Sequence, residues 1–244
     1  TVEGAYNQLQ TYLREFPMAF RFCAFVVASD GISAKYGTPW TPYNHFAPWN
    51  VDEEGHLMEF GETDLDGEAT TELDLTLTGL FNIDRFGQIM RDFIAFDQSE
   101  EGFGKRIAKP HQYFAVTKAV ASTINAVDSD GRAGVVWHTQ GSGKSMEMEL
   151  YTAKVMRHQR LANPTVVVIT DRQELDTQLF DGFRVSALLP EEPKQVASRD
   201  ELRRLLSEQL TGGIYFTTLQ KFGLTQSERE AGADHPLLSD RRNI

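Results

Sequence analysis

The stretch that most restricts what this chain can fold into is WHTQGSGKS, Trp137–Ser145. Gly141 and Gly143 flank a serine, and Lys144 and Ser145 follow at once. Upstream, GVVWH (Gly134–His138) is a short apolar run that reads as a strand. Downstream, residues 143–160 read as a helix. Met148, Tyr151 and Val155 are its expected buried stripe, and Arg157, His158 and Arg160 suit its C-terminal end. Strand, glycine turn and helix in that order form a bowl of backbone N–H groups. Glycine tolerates positive φ there, and a helix start turns its free N–H groups toward an anion. A lysine and a hydroxyl at that point reach terminal phosphates and Mg²⁺. The residues therefore point to a nucleotide site built from Thr139, Gln140, Gly141, Ser142, Gly143, Lys144 and Ser145. Ser145 is placed to reach a phosphate-bound Mg²⁺. One position departs from G-x-x-x-x-G-K-[ST]: His138 stands where the pattern has glycine. His138 is expected as a packed strand-end residue and Trp137 as a core residue.

The rest of the C-terminal half alternates in the manner of a parallel α/β sheet. A helix is expected over residues 111–127, a strand at TVVVIT (Thr165–Thr170), helices near 172–180 and 198–210, and a strand at GIYFTT (Gly213–Thr218). The N-terminal half is less regular. AYNQLQTYLREF (Ala5–Phe16) has helical spacing and stops at Pro17. FCAFVVA (Phe22–Ala28) reads as a buried strand, and residues 36–72 as loops with short strands. LDLTLTGL (Leu73–Leu80) fits a strand or a helix start. IDRFGQIMRDFIAF (Ile83–Phe96) is helical, and DQSEEGFG, residues 97–104, reads as a linker.

Charge divides the chain at that linker. Residues 1–100 hold 5 Lys and Arg against 17 Asp and Glu, whereas the remainder is nearly balanced, 19 against 18. The net charge of −11 argues against a uniformly basic nucleic-acid binder. Ten of the acids lie in Asp52–Asp74 with no lysine or arginine. Two readings stand for that segment: a solvated loop, or a surface that repels DNA or docks a basic partner. The single cysteine, Cys23, excludes an internal disulfide and suits a reducing cytoplasm. No apolar run reaches the ~20 residues of a membrane span. Thr1 in place of an initiator methionine suggests an excerpt of a longer chain.

Several motifs now fall into one order. GVVWHTQGSGKS (Gly134–Ser145) resembles the first motif of the restriction (R) subunit of Type I restriction-modification enzymes, which is helicase-like, of superfamily 2. AKPHQYFAV (Ala108–Val116) resembles the Q motif of such motors, with Gln112 as the adenine reader. VVVITDRQELDTQL (Val166–Leu179) and YFTTLQKF (Tyr215–Phe222) resemble the DNA-contacting motifs that follow, which nominates Arg172, Thr218 and Lys221 as contacts to DNA phosphates. Arg172 as a helix-start ion pair and Lys221 as a solvated charge are the alternatives. QLQTY (Gln8–Tyr12) resembles the Q-x-x-x-Y motif behind the catalytic core of PD-(D/E)xK nucleases, with Gln8 and Tyr12 on one helix face.

The resemblance implies three parts. Residues 1–96 would be the C-terminal part of a nuclease domain, residues 97–104 a linker, and residues 105–244 the first RecA-like motor lobe, a parallel-sheet P-loop NTPase without its acidic box. It implies an ATP-dependent translocase and endonuclease subunit acting on double-stranded DNA beside specificity and modification subunits, in the cytoplasm. A superfamily 2 translocase outside restriction systems is the alternative. The nuclease carboxylates and the hydrolytic acids are absent. Glu192-Pro193-Lys194 lacks a strand, Asp52-Glu53 precedes the glycine turn, and Asp200-Glu201 falls inside an amphipathic helix. In such subunits the acidic box follows an Asn-Ile that starts a strand, and here Asn243-Ile244 are the last residues. The chain alone is expected to bind ATP at best weakly and to hydrolyse neither ATP nor DNA.

Overall fold

The computed structural model describes residues 1–58, 70–99 and 102–244. Much of the acidic segment, residues 59–69, thus lies outside the described residues. The chain divides into two units, Thr1–Thr117 and Lys118–Ile244.

The first unit opens on α1 (Val2–Glu15), whose N-terminus is capped by the Thr1 hydroxyl accepting from the Gly4 amide at 3.1 Å. Val2, Ala5, Tyr6 and Leu9 recur at helical spacing and pack on Ala28 and Phe46. Pro17 starts a single further turn, α2 (Pro17–Phe20). β1 (Val26–Ser29) and β2 (Ala34–Gly37) pair antiparallel, so the strand expected from Phe22 starts later. The centre of the unit is aromatic. Trp49 is fully buried, with the rings of Tyr36, Tyr113 and Phe114 about it at centroid distances of 6.0, 5.9 and 6.3 Å. Tyr36 donates its hydroxyl to the Ala108 carbonyl at 2.8 Å.

Leu73–Leu80 takes the helical alternative. Thr71 and Asp74 form a reciprocal capping box for α3 (Glu72–Leu75), and Thr76–Leu80 continues as a wide turn. α4 (Ile83–Asp92) is capped by Asn82 and ends sooner than expected. Ile94 to Phe96 turn instead into β3 (Ile94–Ser99), which pairs antiparallel with β4 (Gly102–Ile107). Residues 97–99 and 102–104 of the expected linker therefore lie in paired strands, because their backbone finds a ladder partner. The boundary between the units falls later, inside α5 (Pro110–Val127).

The second unit holds α6 (Lys144–Arg157), β5 (Val166–Thr170), α7 (Gln173–Arg184), β6 (Lys194–Gln195), α8 (Arg199–Glu208), β7 (Ile214–Thr218) and α9 (Gln226–Glu230). Its sheet is parallel, in the order β5-β7-β6, with Val166 opposite Ile214 and Lys194 opposite Tyr215. A mixed α/β fold with a parallel sheet is thus present. β7 lies in the middle and is buried along its whole length. Alternation sends Ile214 and Phe216 to one face, against Met156, Val168 and Phe183. Tyr215 goes to the other face, against Val196, Leu202 and Leu206.

Gly134–His138 is not a strand. Val135 and Trp137 are each 89% exposed, so Trp137 is not a core residue. A five-residue apolar run becomes a strand only where a neighbour completes its hydrogen bonds, and among the described residues this run has no ladder partner. Just before the edge strand β5, the Thr165 amide donates to the Asn243 carbonyl at 3.0 Å.

Candidate nucleotide-binding loop

Thr139–Ser145 fold into the expected turn. Gly141 has φ 83° and Gly143 φ 87°, the left-handed region that side-chain-bearing residues avoid. A Cβ on Gly141 would meet nothing within 4 Å, so conformation rather than space requires glycine there. α6 starts directly after Gly143, whose carbonyl accepts from the amides of Met146 and Glu147 at 3.0 and 3.3 Å. The first turn of a helix leaves N–H groups without partners inside the helix, with the positive end of its dipole behind them. Thr139, Gln140, Gly141, Lys144 and Ser145 are exposed and Ser142 is half-buried, so the loop faces solvent.

Lys144 arches back over the loop. Its Nζ donates to the His138 carbonyl at 3.1 Å and the Thr139 carbonyl at 2.7 Å, spanning the loop from exit to start. His138 is half-buried, and its Nδ1 lies 2.7 Å from Oε1 of Glu147, a carboxylate buried in the first turns of α6. Sequence reading had no signal for this pair beyond His138 replacing the pattern's glycine. The buried stripe of α6 is also rotated from expectation. Met146, Leu150, Ala153, Val155 and Met156 are buried, Tyr151 is half-buried, and Met148 sits at the exposed margin.

Gln112 belongs to the first unit and is 3% exposed. Its Oε1 accepts from the Lys109 amide at 2.8 Å, the backward half of a helix cap at the start of α5. Gln8 and Tyr12 are both exposed on α1, whose packed side carries Val2, Tyr6 and Leu9.

Arg172 and Thr218 sit at the carboxyl ends of the neighbouring strands β5 and β7, where Thr170 is opposite Thr218. Arg172 is exposed, 3.8 Å from Asp171. Thr218 is buried, and Lys221 donates to the Val196 carbonyl. Gln220 ties the two strand ends together by donating to the Asp171 carbonyl at 3.0 Å.

The alternative acids hold structural posts. Lys194, of Glu192-Pro193-Lys194, pairs with Glu201 at 2.8 Å. Glu201 also accepts from the Ala197 amide just before α8, and these contacts hold its carboxyl below the usual range. Asp52 accepts from the amides of Glu54 and His56, and Glu53 pairs with Arg85.

The SWI2/SNF2 ATPase family profile matches residues 111–244, more than half of the chain and all of the glycine loop. The chain belongs to the SWI2/SNF2 ATPase family. Outside this ATPase segment it remains similar to restriction proteins. It is 40% identical over 98% of its length to the Type I restriction enzyme HindI endonuclease subunit of Haemophilus influenzae. It is 34% identical over its whole length to the MjaIXP type I restriction endonuclease subunit of Methanocaldococcus jannaschii. The chain spans 22% and 23% of the length of those relatives. Among the described residues, no helix of this SWI2/SNF2 ATPase segment is long and apolar enough to cross a membrane.

Proposed function

We propose that the chain is the junction between nuclease and motor in a Type I restriction endonuclease subunit, and that its glycine loop binds ATP with Mg²⁺. The carrying observation is the loop itself, with Gly141 and Gly143 in the left-handed region and a helix starting at Lys144. The residues present fit the ligand. The backbone N–H groups of Gly141 to Lys144 would cradle phosphate oxygens. Lys144 would exchange its two carbonyl acceptors for the β- and γ-phosphates, and the exposed Ser145 hydroxyl would ligate the metal. Bound Mg²⁺ supplies charge neutralisation between the phosphates.

In the same reading, residues 105–244 form the first RecA-like lobe. Arg172 offers a phosphate contact on double-stranded DNA, with Thr218 and Lys221 at the same end of the sheet. Gln112 reads adenine by leaving its cap on Lys109. Residues 1–96 are the tail of a PD-(D/E)xK nuclease domain, with Gln8 and Tyr12 presented on one helix. The whole subunit translocates DNA in the cytoplasm beside specificity and modification subunits. Similarity to relatives named as restriction endonuclease subunits favours this reading over a translocase outside restriction. Asp200 and Glu201 lie in the first turn of α8, and Glu201 is engaged by the Ala197 amide, so neither is set for hydrolysis.

The test is calorimetric titration of the chain with MgATP. Wild type binds, and Lys144→Ala weakens binding by about tenfold or more, the value of a charge-assisted hydrogen bond. Neither protein releases phosphate. Equal affinity in the two proteins would overturn the loop as the site. Phosphate release abolished by Lys144→Ala would overturn the claim that the chain lacks its hydrolytic acids.

A further inference from the structure

A phosphate-binding loop works only if both of its ends are fixed, since its amides must converge before the anion arrives. The exit of this loop is fixed by α6. Its start is not fixed in the same way: residues 134–137 form no strand, and Val135 and Trp137 stand in solvent. Within residues 134–138, His138 is the half-buried one. Its imidazole Nδ1 meets the Glu147 carboxylate at 2.7 Å, and that carboxylate is 94% buried on α6. The side chain that departs from the glycine pattern thus ties the loop's start to its exit helix, alongside the Lys144 contacts to the His138 and Thr139 carbonyls.

We propose that Glu147 is a positioning residue for nucleotide binding, acting through His138 to hold the Thr139–Gly143 turn closed. The inference rests on the nucleotide-binding reading of the loop. Glu147 touches no phosphate in this scheme. A carboxylate facing an imidazole N–H accepts a short, strong hydrogen bond. That bond fixes the His138 ring and, through it, the His138 carbonyl on which Lys144 rests at 3.1 Å. When the pair is broken, the loop's start moves with the exposed segment before it, and both the amides and the lysine lose their common aim.

The test combines two single variants and their double in the full chain. Glu147→Met keeps volume and helix preference while removing the acceptor. His138→Ala removes the ring. MgATP affinity is expected to fall by about tenfold in each single variant, the scale of one hydrogen bond to a charged group. The double variant should bind no more weakly than the weaker single variant, because both changes break one contact. In the nucleotide-free protein, amide exchange should rise at Gly141–Lys144 more than along the core of α6. A purely structural role would raise exchange along the whole of α6 alike, with no excess at the loop.

Wild-type affinity in both single variants, with Lys144→Ala still defective, would overturn the positioning role and leave the nucleotide site standing. Additive losses in the double variant would also overturn it. Absence of MgATP binding by wild type would overturn the parent reading and this inference with it. Should Glu147→Met fail to fold, His138→Ala carries the affinity and exchange tests alone, with the same opposing outcomes.

Discussion

Arg85 is the most informative residue to perturb in the first unit, because it is a buried cation whose anionic partner is exposed. Its guanidinium is 7% exposed and sits 5.4, 5.8 and 5.5 Å from the ring centroids of Trp49, Tyr113 and Phe114. It donates to the Gly79 carbonyl at 2.7 Å and pairs with Glu53, whose side chain is 64% exposed. An ion pair reaching into water contributes at most about 1 kcal/mol. A charge-assisted hydrogen bond to a buried carbonyl contributes about 1.5–3 kcal/mol. Desolvated cation–π contacts add about 2 kcal/mol, shared rather than summed over three rings by one cation. Arg85→Met returns part of that loss as apolar packing, so a net cost of about 2–4 kcal/mol is expected. Glu53→Gln leaves the carbonyl and the rings in place and should cost about 1 kcal/mol or less.

Urea unfolding followed by tryptophan fluorescence reads this unit selectively. Of the three tryptophans, Trp49 is fully buried and Trp40 half-exposed in the first unit, whereas Trp137 is already 89% exposed. A Glu53→Gln loss equal to or larger than that of Arg85→Met would refute the reasoning, since the ion pair would then outweigh the cage.

Two further predictions concern the second unit. Phe216 is fully buried on the central strand, with the rings of Phe180 and Phe183 at 5.6 and 5.0 Å, so Phe216→Ala should cost about 3–5 kcal/mol by far-UV circular dichroism. Glu228 accepts twice from Arg203, at 2.6 and 3.1 Å, and caps α9 through Thr225; these contacts lower its carboxyl from 4.5 to about 2. Its contribution to docking α9 is therefore complete above pH 4.5 and lost as pH falls through about 2. A carboxyl titration by NMR with its midpoint near the ordinary glutamate value would contradict this.

The C-terminal half was legible in the sequence because its signals are local. β5, β7 and α8 each carry a full period of apolar residues, and the glycine loop follows from backbone conformation alone. What was missed depends on partners distant in the chain. Gly134–His138 has strand composition but, among the described residues, no strand beside it, whereas residues 97–99 and 102–104 look like a linker and lie in the paired β3 and β4. The Glu147–His138 contact spans nine residues, and the Arg85 cage gathers residues from positions 49 to 114. No periodicity announces either. Gln112 was legible as part of a motif, but its cap on Lys109 is visible only once α5 has a defined start.

The central claim is that the backbone around Gly141–Ser145 binds phosphate, and amide NMR of the isotopically labelled chain tests it most directly. On addition of MgATP, the resonances of Gly141, Gly143, Lys144 and Ser145 should shift together and saturably, and adenosine with Mg²⁺ should leave them in place. Unmoved loop amides in saturating MgATP, or equal shifts with adenosine, would contradict the account.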